Sequence, residues 1–403
     1  MIERPHYFKQ LLAFKDTEFI KVITGIRRSG KSALAQMYAE HLLSIGVPET
    51  HVIRINFEDF AFHRLKNADA LYTYLTEQSP LSGKIYFIFD EIQMVSDWQR
   101  VINSLRVNYD SDITITGSNA QMLSGELATH LSGRYIEINV YPLSFAEFLN
   151  FKSIDVADAL QVQKAFQEYS RYGGFPAVVL SSPDVRDTIL GGIYDTVLLN
   201  DVAYRSAIRD ANILRVLTNY LAANVGQISS VNNIVNTLKS AGISTSIPTI
   251  SSYLALLENA YLFHRAQRYD LRGKAFLRSK DKFCIADNGL RRAILGGKQP
   301  GVGSELENLV YIELLRRGYT VDIGQLDSGT EIDFIARRNG QVTYIQVTYQ
   351  IPENSTRKTD NLLHIRDNYE KLLITQNYFG NPDIDGIPVI NIIDWLVNEN
   401  DYK

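Results

Sequence analysis

At 403 residues, 45% hydrophobic and 21% charged, the chain exceeds one ordinary core and reads as about two to four domains of a soluble globular protein. Its net charge of −4 excludes a wholly basic nucleic-acid coat, though not a local basic surface. No apolar run reaches the roughly 18 residues of a membrane span, and the single cysteine, Cys284, excludes an internal disulfide framework.

The first residues, "MIERPHYFKQLLAFKD", lack the apolar core and small-residue cleavage site of a signal peptide. With one cysteine and no membrane span, the expected location is cytoplasmic. The seven histidines are scattered without metal-ligand spacing. Residues 20–24 and 85–89 are short, almost wholly apolar runs, the pattern of parallel strands covered on both faces. Further strands are predicted at 51–59, 112–119 and 134–144, with helical patterns between them. Strand alternating with helix through residues 1–145 predicts a doubly wound α/β domain.

From 146 to 205 the pattern is helical, broken by "YGGFPAVVL". Residues 206–295 then read as three helices followed by two strands, the outline of a winged helix, with "TISSYLALLENA" in the place of the recognition helix. The best linker is "GGKQPGVGSE". Beyond it, 303–403 reads as a helix, three strands, a helix and a strand.

The first strand runs into Gly25-Ile26-Arg27-Arg28-Ser29-Gly30-Lys31-Ser32-Ala33, a full G-x-x-x-x-G-K-S followed by a helix. Glycines there let backbone N–H groups wrap a β-phosphate. Lys31 reaches the β and γ oxygens, and Ser32 ligates Mg²⁺ at the helix N-terminus. "IYFIFDEIQ" supplies the partner: Asp90 ends a buried strand and would hold Mg²⁺, and Glu91 is placed to orient or deprotonate the attacking water. Together these two motifs predict nucleotide hydrolysis rather than binding alone. "ITITGSN" ends the next strand with Thr116, Ser118 and Asn119, of which Ser118 and Asn119 are interchangeable candidates for sensing the γ-phosphate or holding the water. Arg134, in "LSGRYIEI", is placed either to reach a neighbour's γ-phosphate or to sit in solvent.

These residues, with "LSGRY…YPLSFAEFL", "YGGFPAVV", "ENLVYIELLRRGYTVDIG", "EIDFIA" and "YIQVTY", resemble the prokaryotic predicted AAA+ ATPases that join a P-loop domain to a C-terminal domain of uncharacterised function. The resemblance runs along the whole chain. It implies ATP as the nucleotide, a helical lid at 146–205 with Gly174 and Pro176 on the adenine side, and an arginine finger at Arg134 in a homo-oligomer.

The 303–403 segment resembles the restriction-endonuclease-like core as well. In that core a helix Glu, a strand Asp and a Glu-x-Lys bind Mg²⁺ and activate water. The equivalents are Glu307, Asp333 and Gln346-Val347-Thr348, so one carboxylate and the lysine are missing. Nine basic residues between 264 and 292 are Arg265, Arg268, Arg272, Lys274, Arg278, Lys280, Lys282, Arg291 and Arg292, opposed only by Asp270, Asp281 and Asp287. They fall on the predicted wing, where Arg272, Lys274 and Arg278 would meet DNA phosphates. The expectation is a Mg²⁺-dependent ATPase acting on DNA. A protein-binding switch and an ATP-fuelled nuclease using Glu307 and Asp333 are the rivals.

Overall fold

The computed structural model describes residues 2–120, 133–204, 208, 210–271, 273, 275–298, 301–326, 330–351, 357–377 and 382–398. It divides into two compact units, Met1–Tyr141 with Asn259–Tyr261, and Pro142–Glu258 with Leu262–Lys403.

The five strands of the first unit are β1 (Ile20–Thr24), β2 (Val52–Asn56), β3 (Ile85–Asp90), β4 (Ser111–Thr116) and β5 (Tyr135–Asn139). They form one sheet in the order β2-β3-β4-β1-β5, and every neighbouring pair is parallel. β1 and β3 are buried at every position because both of their faces are covered. Ile20, Val22, Phe87, Phe89, Ile113 and Ile115 pack with Leu71, Leu75, Trp98, Ile102 and Leu105 from helices Ala68–Gln78 and Trp98–Asn108. The alternate residues Ile23, Tyr86, Ile88 and Ile138 pack with Leu34, Tyr38 and Leu42 of helix Lys31–Ser44 and with Tyr7 and Leu11 of helix Pro5–Ala13. In β3 a period of two on both faces leaves no polar position before Asp90, whereas β2, β4 and β5 carry Arg54, Asp112 and Glu137. In an open parallel sheet, ligands sit outside the carboxyl ends of the strands. Here that edge carries Thr24, Asp90 and Thr116 from adjacent or next-but-one strands.

The second unit begins with helices Phe145–Phe151, Ala159–Tyr172 and Arg186–Thr196. The "GGFP" break between the latter two is an internal packing feature. Leu143 donates its N–H to the Gly174 carbonyl at 2.7 Å, and Gly174 donates its own to the Asp287 carboxylate at 2.7 Å. A Cβ on Gly174 would lie 2.3 Å from the Leu143 carbonyl oxygen, so only glycine fits this backbone approach. Asp287 also accepts from the N–H groups of Gly289 and Leu290. Burial pushes its carboxyl up to about 6 in spite of those three donors.

Helix Ala211–Ala223 is followed by β6 (Ile228–Ser229), helices Val231–Ser240 and Ile247–Asn259, and the antiparallel pair β7 (Phe263–Asp270) and β8 (Ala275–Ile285). Helix Val302–Arg316 then leads into β9 (Thr320–Gln325), β10 (Glu331–Arg338) and β11 (Gln341–Gln350), an antiparallel meander. After helix Arg357–Leu363, β12 (Glu370–Asn377) pairs parallel to β11, and β13 (Asp383–Ile384) and β14 (Ile387–Asn391) complete the edge. β7 pairs with β9 as well, so the strands expected on a separate wing and those of the C-terminal segment lie in one nine-stranded sheet, β13-β14-β12-β11-β10-β9-β7-β8-β6. Among the described residues, no helix is long and apolar enough to cross a membrane.

Candidate nucleotide site

The loop between β1 and helix Lys31–Ser44 is shaped by three residues with left-handed backbone: Gly25 (φ 128°), Arg28 (φ 66°) and Gly30 (φ 103°). Gly30 is the N-cap of the helix and supplies no side-chain cap, which leaves the first-turn N–H groups directed at the loop's concavity. Successive left-handed turns at a helix N-terminus make an anion cradle. Lys31 is 4% exposed, and its Nζ donates to the carbonyls of Gly25 at 2.9 Å and Ile26 at 3.0 Å, which hold the ammonium at the loop's own mouth. Ile26 and Ser29 are buried, and Arg27 pairs with Glu58.

From the second motif, Asp90 closes β3, and Glu91 turns the chain with φ 55°, a backbone a non-glycine residue adopts rarely and often where function fixes it. Ser32 Oγ donates to Asp90 Oδ1 at 3.1 Å, which joins the two phosphate motifs. Thr116 Oγ1 donates to the same oxygen at 2.5 Å and accepts the Glu91 N–H at 3.0 Å. Ser118 Oγ donates to Glu91 Oε2 at 3.4 Å, and Gln93 donates its amide to that oxygen. β4, lying between β1 and β3, thus orients both carboxylates through Thr116 and Ser118. Asn119 is buried one residue further on. The set of a hydroxyl, a carboxylate, an ammonium and inward N–H groups fits a nucleotide triphosphate with a hydrated Mg²⁺, which keeps most of its water and takes few protein oxygens.

Two contributors carry no motif. Arg4 is 4% exposed, and its guanidinium donates to the Ser29 carbonyl at 2.8 Å and the Tyr141 carbonyl at 3.0 Å, tying the phosphate loop to the chain beyond β5. Glu137 accepts from Thr24 Oγ1 at 2.6 Å and from the Tyr261 hydroxyl at 3.2 Å, directly before the loop begins. An isolated arginine before a proline gives no sequence signal of such a role.

The other expected positions are dispersed. Arg134 is exposed, and its carbonyl accepts the Ile20 N–H at 2.9 Å, so it stands beside the amino end of β1. Residues 121–132, just before it, lie outside the described residues. Gly174 and Pro176 belong to the second unit. Arg272 and Lys274 lie outside the described residues, and of Arg278 only the backbone, in β8, is described.

The basic run does not offer nine cations to a partner. Arg265 pairs with Glu258 at 2.6 Å and Asp281 at 3.7 Å, and Arg268 donates to Gln325. Arg291 is buried against the Ala222 carbonyl at 2.9 Å, and Arg292 pairs with Asp187 at 2.9 Å. Lys282 is turned inward onto Glu307 and Glu331. Each of these five already has an acceptor within the chain.

Glu307, Asp333 and Gln346 are the positions that match the nuclease-like core. Glu307 lies in helix Val302–Arg316, Asp333 in β10 and Gln346 in β11, with Lys282 of β8 and Glu331 beside them. Burial opposes charge on Lys282, yet Glu307, Asp333 and Glu331 together hold its ammonium above the usual lysine range.

The AAA domain family model matches residues 17–149, and a model for a domain of unknown function, DUF8612, matches 163–301. An uncharacterized protein of Haemophilus influenzae is 52% identical over 398 residues, spanning 98% of this chain and 99% of its own length. An uncharacterized protein of Methanocaldococcus jannaschii is 30% identical over 358 residues, 84% of this chain and 76% of that one. Among solved structures, a Walker-type ATPase of Pyrococcus abyssi is similar at 14% identity and a TM-score of 0.47, over 73% of this chain and 96% of that one, a likeness too slight to carry an argument. The chain belongs to one family with the Haemophilus and Methanocaldococcus proteins, and its N-terminal part is an AAA-type P-loop ATPase domain.

Proposed function

We propose that the protein is a Mg²⁺-dependent ATPase whose turnover alters the hold of its second unit on a partner, and that this partner is DNA. One observation carries the enzymatic part: the hydrogen-bonded chain Ser32–Asp90–Thr116–Glu91–Ser118 links the phosphate loop to a carboxylate set in a strained turn. A bound Mg²⁺ would supply charge neutralisation at the β- and γ-phosphates. Ser32 and Asp90 are the residues to hold it, and Gly25 to Ala33 are those to wrap the phosphates. Lys31 neutralises the phosphate oxygens, and Glu91 takes the proton of the attacking water with Ser118 and Asn119 orienting it. Gly174 and Pro176 are the residues we assign to the adenine side.

The element order over 211–285, helix, short strand, two helices and a strand pair, supports a winged helix within 206–295. The order helix, three-strand meander, helix, parallel strand over 302–377 supports a restriction-endonuclease-like core within 303–403, and the helices from 145 to 196 support a lid at 146–205. DNA contact falls to Arg272, Lys274 and Arg278. The test is ATP turnover with and without duplex DNA. Stimulation of several-fold is expected, and replacing the three residues by Ala should abolish it while basal turnover stays. The same variant should lower the slope of log affinity against log salt by about 2 to 3, at roughly 0.9 for each phosphate it no longer neutralises. A protein-binding switch is favoured instead if DNA neither binds nor stimulates. The five internally paired basic residues are the observation on that side.

Arg134 is assigned to a neighbouring copy's site. It precedes β5, whereas the phosphate loop follows β1, a strand parallel to β5. Five residues of strand at about 3.3 Å each separate the two ends of the sheet by roughly 16 Å, which a side chain does not span. Mixing Arg134→Ala with Glu91→Gln protein should restore partial turnover, since each supplies what the other lacks. No rescue at any ratio between folded, associating proteins would leave Arg134 a surface residue.

A further inference from the structure

A nuclease core directs its carboxylates at a divalent cation and a lysine at the attacking water. Here the corresponding groups are occupied with one another. Lys282, from β8 and outside the expected motif, has a side chain 3% exposed, with Nζ 3.5 Å from Glu307 Oε2 and ion-paired to Glu331. Asp333 sits where the β10–β9 register shifts, between Ile332 and Ile335, and its Oδ2 accepts the Val347 N–H at 2.8 Å. Gln346, fully buried, turns its amide N–H to the Glu331 carbonyl at 3.0 Å. Since a carbonyl only accepts, the nitrogen end of that amide is fixed. Thr348, in the place of the motif lysine, donates to Gln350 of its own strand at 2.9 Å. Among the described residues, no group of three or more His, Cys, Asp or Glu is arranged to hold a metal ion.

From this arrangement we propose that the Lys282 ammonium stands in the place of the divalent cation, so that this cluster is a metal-free ionic lock joining β8, helix Val302–Arg316 and β10, and cleaves no phosphodiester bond. Three carboxylates, Glu307, Glu331 and Asp333, gather around one buried cation. A Mg²⁺ needs its oxygen ligands at about 2.0–2.1 Å in octahedral array. It would have to enter beside an ammonium already bound to two of those carboxylates, and the two cations repel. The lysine that the strand motif lost is replaced from a distant element, but as a counterion and not as a catalyst.

The test uses the full chain without nucleotide, titrated with Mn²⁺ and followed by the electron paramagnetic resonance of the free ion. Wild type and Asp333→Asn should bind Mn²⁺ alike up to about 1 mM. Lys282→Met should gain one further site per chain, absent again in the Lys282→Met/Asp333→Asn double variant, and should melt at a lower temperature that Mn²⁺ partly restores. A site in wild type that Asp333→Asn abolishes would overturn the proposal, as would Mg²⁺- or Mn²⁺-dependent plasmid cleavage lost with Asp333. A folded Lys282→Met protein that gains no site would also overturn it. If Lys282→Met does not fold, the comparison of wild type with Asp333→Asn decides alone.

Discussion

Glu91→Gln is expected to keep ATP bound at near wild-type affinity and to lose turnover by about 10²–10⁴-fold, the usual contribution of a positioned general base. The amide preserves shape, and its oxygen can still accept from Ser118 and Gln93, which donate to Glu91 Oε2. What it loses is the capacity to take a proton. Lys31→Ala is the contrasting variant. Its ammonium is the cation held at the loop mouth by the Gly25 and Ile26 carbonyls, so its removal should appear first as lost affinity. Calorimetric titration with a non-hydrolysable ATP analogue, paired with steady-state phosphate release, separates the two. Equal loss of binding in both variants would reverse the roles given to these residues.

The parts of this site that were legible in the sequence share a physical cause. Of the five parallel strands, β1 and β3 showed as almost wholly apolar runs because both faces of each are covered, as Val22 and Ile23 illustrate on successive positions. The phosphate loop and Asp90–Glu91 showed because local backbone demands and the ends of buried strands fix residue types at short spacing. Thr116 and Ser118 were visible as polar residues after an apolar strand, but not their partners. The order of strands in the sheet, which sets β4 and its Thr116 between the two motifs, arises from contacts distant in sequence and leaves no periodic trace.

The same limit keeps other features of the structure out of the sequence. Arg4 lies 25 residues before Ser29 and 137 before Tyr141, and nothing around "ERPH" marks it as a buried clasp. Composition shows the basic run as charge and does not reveal that Arg265 faces Glu258 or that Arg292 faces Asp187. Lys282 was one of that run. Only the pairing of β7 with both β8 and β9 carries the wing strands into the sheet of the C-terminal segment and delivers Lys282 to Glu307 and Glu331. A motif scan compares residues within a strand, so it registered the missing lysine at Thr348 and not its replacement 66 positions earlier.

Gly25→Ala should be the most damaging single methyl group in the first unit. The φ of 128° lies outside the region an L residue adopts readily, and a Cβ would stand 2.2 Å from the Val140 carbonyl oxygen and 3.2 Å from Asn139 Oδ1. Val140 cannot withdraw freely, because its N–H donates to the Thr24 carbonyl at 2.8 Å where β5 ends beside β1. Left-handed backbone alone costs roughly 1–2 kcal/mol for an L residue. The overlap adds a displacement of backbone at the point where Lys31 is held, so nucleotide affinity should fall by more than about 100-fold, roughly 2.7 kcal/mol in binding. Two further glycines grade the effect. Gly30→Ala meets only Arg4 Nη1, at 3.7 Å, although φ is 103°, and should weaken binding by less. Gly46→Ala, with φ 92° and nothing within 4 Å, carries the backbone strain without the collision. It should lower the thermal midpoint by a few degrees while leaving nucleotide binding unchanged, since about 1 kcal/mol shifts the midpoint by some 2–8 °C depending on domain size. Measured affinities in the order Gly46→Ala, Gly30→Ala, Gly25→Ala, tightest first, would tie the loss to the loop's approach to Val140. Equal affinities in all three would show that the loop tolerates the collision and that its close approach to the chain after β5 is dispensable for binding.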